Sequence, residues 1–291
     1  MRFPFGVVND AMTLPSLATS AGRSRGFVAR AGVAALAARR SSGLLSKPSH
    51  ITRRTRLVAM STADFYEFMY SKMGYHSNLG ITHAAPFIEM IHSTYRSQVR
   101  SVLDVGCSHG KGVSLLWKHG INASGCDISP TAIRLARSAR KNATFCPNGD
   151  CFRVGSGVKI PFADQSFDAL VSTDMIEHIL PDEVERVFAE FHRVTRRLLF
   201  LQISNKATCG NCNNYTRAFS QRQSQQQAAS SSSSQQLRVH ATVLKKEQWL
   251  RHFDKAGLEV VRDIAPNSIK GFTSANNFNF VLRTRGYSIH R

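Results

Sequence analysis

Apolar residues recur at helical spacing in 63–73 (ADFYEFMYSKM) and 85–95 (APFIEMIHSTY), with Pro86 near the start of the second stretch. From Val99 onward the pattern changes. Short apolar runs at 101–105, 123–127, 143–146, 167–173 and 198–203 alternate with helical stretches at 110–119, 131–141 and 181–195. A last helical stretch, 245–256, precedes two runs, 259–264 and 278–283, with no helix between them. Strands alternating with helices of this length predict βαβ units and a doubly wound, mostly parallel sheet in an α/β fold. The final two runs predict an antiparallel C-terminal edge strand. No internal repeat is visible.

Two stretches lack any such periodicity. Residues 1–60 hold ten Lys or Arg and one acid, Asp10, so they carry +9 of the formal +19. Rich in Ala, Ser, Gly and Arg, without a compact apolar stretch, they have the composition of a cleaved mitochondrial or plastid transit peptide. An ordinary basic tail is the alternative, and a start at Met60 would give a cytosolic form. The second stretch, 220–236, contains seven Ser and seven Gln. With its polar lead-in it defines a disordered insertion, 205–236, which cannot bury enough apolar surface to offset the entropy of ordering.

Removing both stretches leaves about 200 residues, enough for one domain. Composition narrows the class further. Hydrophobic residues at 42% and charged residues at 20% allow a real core. No apolar run reaches the length of a membrane span. Six cysteines are too few for a disulfide scaffold. The pair Cys209 and Cys212 reads first as two incidental loop cysteines; as half of a zinc site it would need Cys146 and Cys151, and only if the loops meet. The remaining charge of +10 leaves nucleic acid as an alternative partner, although the basic residues are scattered and do not interleave with aromatics.

The first strand runs into Val102-Leu-Asp104-Val-Gly106-Cys107-Ser108-His-Gly110-Lys-Gly112. A strand, a glycine-bearing turn and then a helix allow close backbone approach to a ligand at the strand's carboxyl end. The spacing is not the dinucleotide GxGxxG. It resembles the acidic-glycine loop of class I S-adenosylmethionine (SAM) methyltransferases. Three more segments are similar, in the same order: 125–130 (GCDISP), 149–151 (GDC) and 160–168 (IPFADQSFD), the last resembling the type 11 group. The late segment 249–258 (WLRHFDKAGL) also resembles that group.

The resemblance implies a Rossmann-like methyltransferase fold with an N-terminal helical lid at 61–98 and a SAM-binding domain at 99–291. It implies SAM as cofactor and a small organic molecule as acceptor, with oxygen slightly favoured over carbon or nitrogen. A non-catalytic partner protein built on the same fold is a further alternative. The implied cofactor contacts are Asp104, Gly106, Cys107, Ser108 and Gly110 in the loop, Asp127 and Ile128 for the ribose, Asp150 and Cys151 for the adenine, and Thr173. Two departures stand out. Ser108 occupies a position often held by glycine, and nine residues, 151–159, separate Asp150 from Ile160 where about three are usual.

Chemistry at the acceptor is expected from Asp174, Glu177 and His178, which share one side if a helical turn begins there. His178 is a candidate general base, or else a residue packed near the cofactor. The segment also resembles that of ubiquinone-biosynthesis O-methyltransferases and small-RNA 2′-O-methyltransferases. That resemblance implies an alternative RNA substrate and, as an alternative to no metal, a divalent ion held by Asp174, Glu177, His178 and His240. Tyr66, Tyr70, Tyr75 and His76 line the acceptor pocket or simply pack the core.

Overall fold

A computed structural model describes residues 62–75, 79–140, 143–146, 150–207, 218 and 239–286. The leader, His76, Cys209, Cys212 and nearly all of the insertion lie outside the described residues. Everything described belongs to one compact unit, Leu57–Arg291.

Seven strands form one sheet in the order β3-β2-β1-β4-β5-β7-β6. β1 (Ser101–Val105), β2 (Asn122–Asp127), β3 (Phe152–Val154), β4 (Phe167–Thr173) and β5 (Thr195–Ser204) run parallel. β6 (Leu258–Ile264) and β7 (Asn277–Thr284) complete it as an antiparallel pair, β7 lying against β5 and β6 outermost. The last of the described strands therefore tucks inside the edge. Helices α1 (Thr62–Lys72) and α2 (Leu79–Thr94) precede the sheet, while α3 (Lys111–Lys118), α4 (Pro130–Arg140) and α5 (Val184–Val194) cross between parallel strands. Helix α6 (Lys246–Lys255) leads into β6.

The two faces of the sheet follow from the two-residue side-chain period of a strand. In β5, Leu198 and Phe200 enter one core, with α2 and α3, where Phe200 meets Phe87 and Tyr95 edge to face. Leu199, Leu201 and Ile203 enter the other, with α5 and α6, where Phe188 packs on Phe253. β4 is buried at every position, as expected of a strand covered on both faces.

Two expectations are corrected. Residues 143–146 form a turn, and the third strand is Phe152–Val154. Only Phe152 of that strand is buried while Arg153 and Val154 are exposed, so it carries no apolar run. What places it is pairing with β2, Gly125 opposite Phe152. The second helix begins at Leu79, so Pro86 lies inside it. Burial of Phe87, Ile88, Ile91 and Tyr95 against the sheet outweighs the hydrogen bond that proline removes.

The turn from β1 into α3 depends on Gly110, whose φ is +70°. A Cβ there would stand 2.4 Å from the Phe152 ring. Gly110→Ala is expected to lower the unfolding free energy by about 2 kcal/mol or more, from overpacking and a left-handed backbone. The measurement is the urea midpoint at unchanged slope; an unmoved midpoint would contradict this reading of the turn.

Candidate active site

The carboxyl ends of the parallel strands are fastened to one another before any ligand enters. The N–H groups of Gly106 and Cys107 donate to Cys126 O at 2.9 and 3.0 Å, tying the loop after β1 to the end of β2. Asp127 completes the tie. Its Oδ2 accepts the Ser108 N–H and its Oδ1 accepts the Ser129 N–H, each at 2.9 Å. Burial raises the Asp127 pKa to about 6 although these N–H groups pull it down. Asp104, also buried, is raised to about 7 by burial and by Asp127.

Along this edge lies a cavity of about 720 Å³. Gly106, Ser108, Asp127 and Ile128 line one end, and Thr173, Asp174, Glu177, His178 and His240 line the other. Ser108 adopts φ +51° in spite of its Cβ, so the departure from glycine is accommodated within the left-handed turn. Helix α1 covers the cavity with Tyr66, Met69 and Tyr70, and Tyr70 O–H donates to Ser108 Oγ at 2.8 Å. The helix is pinned by Glu67, which accepts from Ser129 O–H and from Thr131 N–H at the start of α4. Burial opposes ionisation of Glu67, yet those bonds hold its pKa below the ordinary value.

Several expected contacts lie elsewhere. Asp150 is exposed and precedes β3, so it does not stand at a strand's carboxyl end. Cys151 is joined to Cys146 by a disulfide. These two cysteines are therefore not zinc ligands. The segment that follows β3 is Gly155-Ser156-Gly157, all three at the cavity. Only Gly157, Val158 and Lys159 separate Ser156 from Ile160, so the long spacing noted in the sequence disappears once the strand is placed correctly. Cys107 and Gly110 shape the loop without lining the cavity: the Cys107 side chain packs against Gly125 and Gly110 against Phe152. Asp104 lies behind the loop, outside the cavity lining.

At the opposite end, Asp174 follows β4 with φ +51°, a conformation rarely adopted by a non-glycine residue and typical of functional sites. Its Oδ2 meets His83 Nδ1, from α2. That hydrogen bond raises the His83 pKa above its ordinary value, against the effect of burial. His83 had no signal in the sequence, because a lone histidine on a helix reads as a surface or core residue. Asp174 and Glu177 do not share a helical face. Asp174 precedes a single 3-10 turn, Ile176–His178, in which Glu177 is 1% exposed. Burial raises the Glu177 pKa, helped by Asp174, and burial lowers that of His178. Among the described residues no helix is long and apolar enough to cross a membrane.

Comparison with known proteins agrees with this geometry. Residues 103–198 match the type 11 family described as "Methyltransferase domain". An O-methyltransferase of Aspergillus nomiae is 30% identical over 114 residues, covering 38% of this chain and 49% of its own length. Norajmaline N-methyltransferase of Rauvolfia serpentina is 29% identical over 96 residues, covering 33% of this chain and 32% of its own. The chain thus spans between about a third and a half of the length of these curated relatives. Among solved structures, magnesium protoporphyrin IX methyltransferase from Synechocystis PCC 6803 with bound SAM superposes with a TM-score of 0.53 at 12% identity, over 78% of this chain and 99% of that one. A protein of Pyrococcus horikoshii OT3 superposes with a TM-score of 0.51 at 20% identity, over 75% and 96%. Residues 103–198 are a type 11 methyltransferase domain, set in the fold of the class I S-adenosylmethionine-dependent methyltransferases.

Proposed function

We propose that this chain is a SAM-dependent methyltransferase that methylates an oxygen of a small organic acceptor. The observation that carries the reading is the single cavity joining the Asp127 end to the Asp174 and His83 end. When bound, SAM supplies the methyl carbon. The chain fits it. The Asp127 oxygens receive the Ser108 and Ser129 N–H groups at one lone pair each, and further lone pairs can take ribose hydroxyls. Gly106, at φ +81°, clears the floor, because a Cβ there would press on Met175 at 3.0 Å. Gly155, Ser156 and Gly157 bound the adenine side with little side-chain bulk.

The protein's own part in the reaction is to hold the acceptor in line and to take its proton. The His83–Asp174 pair has the geometry for the second task. Asp174 fixes the imidazole through Nδ1 and leaves Nε2 to accept a proton from a hydroxyl, the division of labour seen in histidine–carboxylate pairs generally. This reading moves the base from His178 to His83. His178 spends Nδ1 on the Val239 carbonyl, and its ring meets His240 edge to face. The curated N- and O-methyltransferase relatives support the reaction type, and the His–Asp pair supports oxygen, whose hydroxyl needs a proton removed. The Tyr66, Tyr70 and Met69 cover supports an acceptor of modest size with an apolar body.

Two outcomes test this. SAM bonds to ionised Asp127, so its affinity is expected to rise as pH increases through about 6, where the free carboxyl loses its proton, and then to level off. Asp127→Asn should flatten that dependence and weaken binding by about 1–3 kcal/mol at neutral pH. Calorimetry from pH 5 to 8 checks both, and equal affinity for the two chains would remove the ribose assignment. Transfer of label from methyl-tritiated SAM to phenols and other hydroxylated metabolites tests the reaction itself. With His83→Ala, kcat should fall about 100-fold or more while the SAM Kd stays put. The wild-type rate should climb with pH through a value above 6.5, where His83 becomes neutral. Transfer to amines alone, or full activity in His83→Ala, would contradict the proposal.

A further inference from the structure

The acceptor end holds a second constellation that the proton-transfer reading leaves unused. Glu177, His178 and His240 each offer one ligand atom, and the three atoms lie within 4.8 Å of one another. His178 Nδ1 stands 2.8 Å from Val239 O, and His240 Nδ1 stands 2.6 Å from Lys206 O. A carbonyl can only accept, so each Nδ1 carries the proton and each Nε2 keeps its lone pair. This backbone-locked tautomer is the one in which a histidine ligates through Nε2. The two rings meet edge to face at 4.8 Å. Beside them Glu177 Oε2 is buried with no hydrogen-bond partner. A carboxylate oxygen left so is costly, and the neighbouring imidazoles present lone pairs instead of protons to it. Two imidazoles and the unpartnered Glu177 Oε2 thus gather acceptor atoms at one place. A cation satisfies all three at once.

From this geometry we infer that Glu177, His178 and His240 form a binding site for a divalent first-row transition-metal ion. Two imidazoles and one carboxylate suit Mn²⁺, Fe²⁺, Co²⁺ or Zn²⁺ better than Mg²⁺ or Ca²⁺, which take oxygen ligands. Three protein ligands leave coordination positions open, and all three residues line the cavity. The ligand set differs from the one implied by resemblance, because Asp174 is held by His83 and stands outside the converging trio. What the open positions hold, an acceptor hydroxyl, rests on the methyltransferase reading; the ligand set stands without it.

The test uses the full chain, stripped with chelator and titrated with Co²⁺ or Mn²⁺ alone. One ion per chain is expected, with a visible Co²⁺ absorption band. Glu177→Gln and His240→Asn should each weaken binding at least about 10-fold, and their SAM affinity should stay within about twofold, which shows that they fold. Pulsed EPR of Mn²⁺ on the wild-type chain should show couplings to two imidazole nitrogens. Absence of stoichiometric binding, binding undiminished in both variants, or no imidazole coupling would overturn the site. SAM calorimetry in chelator separates the two proposals. SAM bound by a chain that takes no metal removes only this site, whereas metal bound by a chain that ignores SAM removes only the methyltransferase reading.

Discussion

The buried carboxylate of Asp127 is the joint on which the cavity depends. It sits at the carboxyl end of β2, 7% exposed, and accepts one backbone N–H from the loop after β1 and one from the turn into α4. Without those bonds the two loops would present unpaired amides to the cavity. With them, the loops are fixed at the spacing the cavity requires, and the strand register does the rest, Asp104 opposite Gly125 and Val105 opposite Cys126. The arrangement holds a carboxylate where burial disfavours its charge, so the site is poised for a ligand that brings hydrogen-bond donors and positive charge. Glu67 extends the same logic to the covering helix. Its carboxylate takes the Thr131 N–H of α4, and the N-terminal end of a helix favours a negative charge.

The acceptor end is built differently. There β4 and β5 end and the chain departs in one 3-10 turn, so Glu177 and His178 are set by that turn and by the segment before α6. Thr242 N–H donates to Glu177 O, and Thr242 O–H donates to Ile179 O at 2.6 Å, which clamps the segment carrying His240 onto the turn carrying its neighbours. Residues far apart in sequence are thereby brought within ligand distance. The proton-transfer pair and the metal site proposed above use different atoms. His83 and Asp174 form one pair, and Glu177, His178 and His240 form a separate trio.

How far the sequence reveals this depends on what carries each signal. Strands buried on both faces, β1, β4 and β5, announce themselves as apolar runs, and the ends of β1, β2 and β4 carry Gly106, Asp127 and Thr173 in short local motifs. β3 does not. One buried residue in three leaves no periodicity, and the nearby apolar run at 143–146 captures the assignment. The resemblance consequently falls on Asp150 and Cys151, which precede β3 and lie outside the cavity lining, and the nine residues before Ile160 include that strand. His83 is illegible for another reason. Its partner lies 91 residues away, and only the packing of α2 over the end of β4 unites them. The Asp174, Glu177 and His178 spacing is legible as a motif, yet it suggests one helical face, whereas the left-handed φ at Asp174 divides the three.

On the proposed function, one cavity holds the nucleoside at Asp127 and presents its reactive end to His83 and Asp174. A crystal structure with S-adenosylhomocysteine, the demethylated product, tests this most directly. Both ribose hydroxyls are expected on the Asp127 carboxylate, the adenine beside Gly155, Ser156 and Gly157, and the sulfur facing the Asp174 wall. A nucleoside bound away from Asp127, or a sulfur turned from His83 and Asp174, would contradict it.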